Sequence, residues 1–218
     1  MNPHKVTSDF EEVLCDYTGS KFAIATDCGS NAIFLSLKYL GIKNKEITIP
    51  SHTYMSVPCQ IIHAGGRVKF KKSSKYLSGA YRLKPTPVWD SALRFTRNMY
   101  KESQYMCLSF SGPRKVLKLG KGGAILTDDE RAHEWLLRAR YHGRNPTSHL
   151  SDSFDMLGWN MYMPPETSAR GLLLMSDMDK NEDIKQEYQD LSNYNIYKEQ
   201  KGTLIKQALS DTAELIEK

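Results

Sequence analysis

The sequence predicts an α/β fold: a three-layer, mostly parallel sheet with helices on both faces. Short apolar runs at 22–27, 46–50, 67–71, 86–90, 104–110 and 123–127 read as strands. Stretches at 7–17, 30–40, 54–64, 128–141, 164–176 and 181–195 read as helices, and several of them separate the strands. Such alternation favours a sheet covered by helices. Finally, residues able to do chemistry fall at strand ends or just after them, where ligands of open α/β sheets bind.

Taken in order, Phe22-Ala-Ile-Ala-Thr is an apolar strand that runs through Asp27-Cys28 into a Gly29-Ser30 turn and a helix start. Ile33, Leu37 and Leu40 give that helix its apolar stripe. Ile47-Thr-Ile-Pro50 is a strand followed by Thr53 and Tyr54. Thr86-Pro-Val-Trp-Asp90 is a short strand ending in a carboxylate. The strand at 104–110 runs into a basic, glycine-rich loop, Ser109 to Gly123, before the strand that follows. Asp128 or Thr127 is expected to cap the next helix, with Glu130 near its positive end. Beyond Lys201, Leu204, Ile205, Ala208, Leu209, Leu215 and Ile216 share one helical face and suggest a docking helix.

Composition sets bounds on function. The 218 residues are 40% hydrophobic and 25% charged, ordinary for a globular enzyme domain. A net charge of +5 suits an anionic ligand, and equally suits plain solubility. The run Arg138, Arg140, His142, Arg144 reads as a solvated helix face, so no nucleic-acid partner is expected. The four cysteines (15, 28, 59 and 107) lack metal or disulfide spacing, which points to a reducing, cytoplasmic compartment and no metal. There is no apolar signal core and no run long enough to span a membrane.

The loop lysines carry the sharpest chemical reading. A lysine fixed after a strand can form a Schiff base with an aldehyde cofactor. With a phosphate cradle at Gly29-Ser30, an aromatic at Tyr54 and a carboxylate at Asp90, these are the parts for holding pyridoxal phosphate. Each part also has a plainer reading. Asp90 can cap a turn, and Ser30 can be an N-cap alone. Tyr54 can be a core aromatic of the 54–64 helix, and the lysine loop a solvated hairpin.

From about Phe10 to about Leu191 the chain resembles the DegT/DnrJ/StrS sugar aminotransferases, pyridoxal-phosphate enzymes of fold type I. The resemblance runs through Tyr17-Thr-Gly19-Ser-Lys21, Cys28-Gly29-Ser30, Pro50 with Thr53-Tyr54, and Asp90-Ser-Ala92. It continues through Ser109-Phe110, Lys115, Gly120-Lys-Gly-Gly123, Tyr141-His-Gly143-Arg144 and Gly158-Trp-Asn160.

The resemblance implies an aminotransferase moving an amino group from an amino acid, by family habit glutamate, to a nucleotide-linked keto sugar, as in polysaccharide biosynthesis. It implies that Lys115 binds the cofactor covalently and shuttles a proton, while Asp90 pairs with the ring nitrogen. Gly29, Ser30 and Ser109 would hold the phosphate, and Tyr54 would stack on the ring. Asn160 would reach the phosphate of a second subunit, making a homodimer with shared sites. Counting back from Gly120 selects Lys115; counting forward from Ser109 would reach Arg114, so one residue is inserted near Gly112, and Lys118 stays a rival.

The chain also departs from the pattern. Leu93 stands where the family has Gln or His, Lys121 where an acid is common, and Tyr162 where arginine is usual. The stretch from Lys72 to Pro85 is too short for the family's extra strand and helix, so the sheet is expected to have one strand fewer. The resemblance divides the chain into a cofactor-binding domain at 1–180 and a helical remnant of a small domain at 181–218. The alternative is an impaired or non-catalytic relative that binds cofactor, sugar nucleotide or a full-length partner.

Overall fold

The computed structural model describes residues 4–145, 149–178 and 181–197. The strands are β1 (Phe22–Thr26), β2 (Glu46–Pro50), β3 (Arg67–Lys71), β4 (Tyr76–Arg82), β5 (Val88–Leu93), β6 (Tyr105–Ser109), β7 (Gly123–Thr127) and β8 (Lys185–Glu187). The helices are α1 (Lys5–Thr18), α2 (Gly29–Tyr39), α3 (Ser56–His63), α4 (Glu130–Ala139) and α5 (Pro165–Met175).

Strand alternation makes three layers. Ala23, Ala25, Met106, Leu108, Ala124 and Leu126 pack on one face of the sheet with Phe10 and Leu14 of α1 and Met175 of α5. Ile24, Cys107 and Ile125 face the other way, onto Leu35 and Leu37 of α2 and Leu136 of α4. Each strand therefore serves two cores, which is why these runs are apolar throughout rather than alternating.

The main sheet has the order β1-β7-β6-β5-β4-β8. It is mixed rather than mostly parallel: only β5 and β6 are parallel neighbours, and β7 and β4 run against the rest. The cause is local. β4 turns directly into β5 through residues 83–87, too short a link for a parallel crossover. The segment after Lys72 thus holds a strand and no helix. β2 and β3 form a separate parallel pair, tied to that turn by reciprocal Thr48 and Lys84 backbone bonds of 2.8 and 3.1 Å.

Helix ends follow from their caps. The Cys28 thiol accepts from the Asn31 amide at 3.4 Å at the start of α2. Asp129 caps α4 by accepting from the Ala132 amide at 3.0 Å, in place of the expected Asp128 or Thr127. Asp128 instead accepts from the Ser103 amide at 2.9 Å. α3 starts at Ser56, so Tyr54 precedes it and is not a helical core residue.

The helix expected at 181–195 is absent. Lys185–Glu187 is β8, paired with Tyr76–Ser78 of β4, and two short 3-10 turns follow at Leu191–Asn193 and Asn195–Tyr197. Pairing with an open sheet edge outweighs helix propensity there. The amphipathic stretch beyond Lys201 lies outside the described residues.

Candidate active site

Strands β1, β5 and β6 run the same way, so Thr26, Leu93 and Ser109 end at one edge of the sheet, where β7 begins at Gly123. Along that edge the backbone is drawn tight. A Cβ on Gly29 would lie 2.7 Å from Ser109 Cβ, and one on Gly123 would lie 2.5 Å from the Gly29 amide nitrogen. Only glycine permits this approach. It sets the first turn of α2 beside Ser109, and first-turn amides have no partner within their own helix. The Ser30 and Ser56 hydroxyls bond at 2.6 Å, joining the starts of α2 and α3. The arrangement is a cradle of amides and hydroxyls suited to a phosphate.

Beside the cradle lies a cluster of titratable side chains. Asp90 is only 6% exposed. Its Oδ2 accepts from the Tyr81 hydroxyl at 2.8 Å and its Oδ1 from the Ala92 amide at 3.0 Å. Burial raises its pKa, opposed by those two bonds and by the charge of Lys115. The Lys115 Nζ donates to the Ala92 carbonyl at 2.7 Å. Burial lowers the pKa of this amine, and the Asp90 charge opposes the shift. Lys118 is exposed, so of the two rival lysines it is Lys115 that faces the carboxylate.

The remaining candidates are less tightly placed. Tyr54 is 52% exposed, with its ring edge-on to Tyr188, centroids 6.5 Å apart. Asn160 is exposed and held through its backbone pairing with Tyr141 rather than by this cluster. Leu93 is buried in β5 and offers no polar atom where Gln or His is the pattern.

Two participants, Tyr81 and Tyr188, escaped the sequence reading, and a third, Thr53, was read only as part of a motif. Tyr81 bonds Asp90, Thr53 bonds Tyr81 at 2.5 Å, and the Tyr188 phenol is raised in pKa by burial and then by the Asp90 charge. Tyr81 and Tyr188 sit on or beside β4 and β8, both unforeseen. Tyr76-Leu-Ser-Gly-Ala-Tyr81 shows no regular alternation, so the sequence carried no clear signal for β4.

A cavity of about 1130 Å³ lies elsewhere, between α1 and α4, lined by Glu11, His133, Arg140 and Tyr141 among others. It touches none of the cluster; its floor holds the Glu11–Arg140 ion pair that clamps α1 to β1 through Ala25. Among the described residues no group of side chains is arranged to hold a metal, and no helix is long and apolar enough to cross a membrane.

The three layers define the class of fold, that of the fold type I aminotransferases, with the cradle and the buried carboxylate lying at its strand ends. The profile of the DegT/DnrJ/EryC1/StrS aminotransferase family matches residues 2–74 and 98–211, and the chain belongs to that family. A Campylobacter jejuni UDP-4-amino-4,6-dideoxy-N-acetyl-beta-L-altrosamine transaminase is 21% identical over 84% of this chain and 60% of its own length. A Bacillus subtilis 3-oxo-glucose-6-phosphate:glutamate aminotransferase is 23% identical over 62% of this chain and 39% of its own. The structure of Helicobacter pylori PseC, an aminotransferase involved in the biosynthesis of pseudoaminic acid, superposes with a TM-score of 0.65 at 16% identity, over 78% of this chain and 57% of PseC. The chain thus spans 60% or less of the length of these proteins.

Pyridoxal phosphate is the cofactor of this family. The residues present fit it at the glycine cradle, where any Cβ would fill the space, and in the donor set of amine, carboxylate and hydroxyls. Leu93, buried and without a polar atom, is a misfit.

Proposed function

We propose that the chain binds pyridoxal phosphate and transfers an amino group from an amino acid, glutamate, to a nucleotide-linked keto sugar. One observation carries the reading: the Lys115 amine and the buried Asp90 carboxylate face each other at the strand ends, beside the cradle at the start of α2. The substrate class is supported by the UDP-linked sugar in the name of the C. jejuni relative, and the donor by glutamate in that of the B. subtilis relative.

Gly29, Ser30 and Ser109 would take the phosphate, Tyr54 one face of the ring, Asp90 the ring nitrogen and Lys115 the aldehyde carbon. When bound, the cofactor supplies an electron sink next to the amino-bearing carbon. Lys115 Nζ would take the proton from that carbon and return it, and burial, which lowers the pKa of this amine, favours the neutral form that accepts a proton. Asp90 supplies a fixed negative charge that keeps a ring nitrogen protonated. Asn160 would serve the phosphate of a second copy, in a cytoplasmic homodimer. Tyr188, from the 181–218 segment, would join the 1–180 unit at the cofactor, since its phenol is raised in pKa by burial and then by the Asp90 charge.

The test is to add pyridoxal phosphate to the protein, record the visible spectrum, reduce with borohydride and map the labelled peptide. A visible band fixed on the Lys115 peptide and lost in Lys115→Ala is expected. A folded protein without a band sinks the reading. A second reading, binding without turnover, is favoured by Leu93; a band with no amino transfer to any keto sugar nucleotide would select it.

A further inference from the structure

We propose that Tyr81 is a positioning residue that orients and keeps ionised the Asp90 carboxylate, with Thr53 ordering Tyr81 in turn; this rests on the pyridoxal-phosphate reading above. Tyr81 has one phenolic proton, and it goes to Asp90 Oδ2 at 2.8 Å. The Thr53 hydroxyl, 2.5 Å from the same phenol oxygen, must then be the donor of that pair. The relay therefore runs in one direction, from Thr53 to Tyr81 to Asp90. The Ala92 amide holds the other carboxylate oxygen at 3.0 Å, so the carboxylate plane is fixed by two bonds on two oxygens.

Burying a carboxylate is expensive unless its oxygens are given partners, and Asp90 has one on each. The groups facing Asp90 are Tyr81 from β4, Lys115 from the loop after β6, Tyr188 from the segment after β8, and Cys107 from β6 itself. Of these, Tyr81 alone among the side chains gives Asp90 a hydrogen bond among the described residues. The phenol's own pKa is raised well above its ordinary value by burial and then by the Asp90 charge, so it stays a donor while the protein is folded. A donor on the ionised form favours that form, and only an ionised Asp90 can hold a proton on a ring nitrogen. Losing the phenol would therefore let Asp90 protonate at higher pH.

The experiment titrates pyridoxal phosphate into the protein across pH, reading the visible band, for the wild type, Tyr81→Phe, Thr53→Val, Asp90→Asn and Tyr81→Phe/Asp90→Asn. Tyr81→Phe, which keeps the ring, is expected to weaken binding about tenfold and to move the acid limb up by about one pH unit. Thr53→Val should move it the same way by less. In the Asp90→Asn background, Tyr81→Phe should add nothing. An unmoved limb in Tyr81→Phe, or an equal loss in both backgrounds, overturns the role of Tyr81 while leaving the cofactor reading intact. No band in the wild type overturns both. If Tyr81→Phe does not fold, Thr53→Val decides on the same limb: moved up sustains the proposal, unmoved overturns it.

Discussion

The two halves of the candidate site are built from different materials. The cradle is backbone: Gly29, Gly123 and the end of β6 pressed together at 2.5–2.7 Å from where any Cβ would stand. The reacting half is side chain: Asp90, Tyr81 and Lys115, each moved in pKa first by burial. The cradle works by shape and is indifferent to pH. The reacting half works by charge, and its geometry survives substitutions that abolish its chemistry. A mutation therefore reveals which half it struck by whether pH modulates its effect.

The largest effect should come from the cradle. Gly123→Ala sets a methyl against the Cys28 carbonyl carbon and the Gly29 nitrogen, both 2.5 Å away, and backbone cannot step aside cheaply. We expect a loss of about 3 kcal/mol in urea unfolding, equal at all pH values. A strong pH dependence of that loss would break the comparison.

Next comes Asp90→Asn, expected to slow amino transfer about a hundredfold with the fold intact. Its stability signature has a defined sign. Burial raises the folded pKa of Asp90, so its stabilisation is full below the ordinary carboxylate range and is lost as pH rises through the folded value. Asp90→Asn should flatten that fall in a stability-versus-pH series. Lys115 bends the other end. Its folded pKa is lowered, so stability is full above the ordinary lysine value and falls as pH drops through the folded one. Lys115→Met should remove that alkaline slope only; if it also removes the acidic slope, the two groups titrate as one.

How much of this was legible depends on the kind of signal. β1, β6 and β7 feed two cores, so their residues form largely apolar runs that are easily found. β8 is an edge strand and β4 its only neighbour; Tyr76, Ser78 and Lys185 are exposed, and no apolar run betrays either strand. The direction of β4 was hidden too, because the length of a turn, not a pattern, decides it. In the site, Asp90, Lys115, Gly29 and Ser109 lie within motifs. Tyr81 meets Asp90 only because β4 folds back on β5 as its register partner, and Tyr188 only because the distant β8 pairs with β4.

The smallest expected effect tests that unforeseen region. Arg94 grips Asp183 with a two-bond fork, 2.8 Å from Nε and 2.5 Å from the second nitrogen, just ahead of β8. This holds the Asp183 carboxyl below its usual range. Arg94→Ala should cost about 1 kcal/mol in thermal unfolding and leave both pH slopes unchanged. Loss of either slope would show that β8 serves the reacting half more than the frame.

The pairing of β8 with β4 has a consequence for behaviour in a crowded solution. A bare β4 would offer the backbone of Tyr76-Leu-Ser to any passing extended chain, an invitation to stack copies edge to edge. With β8 in place the outermost strand is three residues long and carries Lys185 and Glu187, exposed and charged. The strap that brings Tyr188 to the carboxylate thus also makes the sheet a poor seed for aggregates.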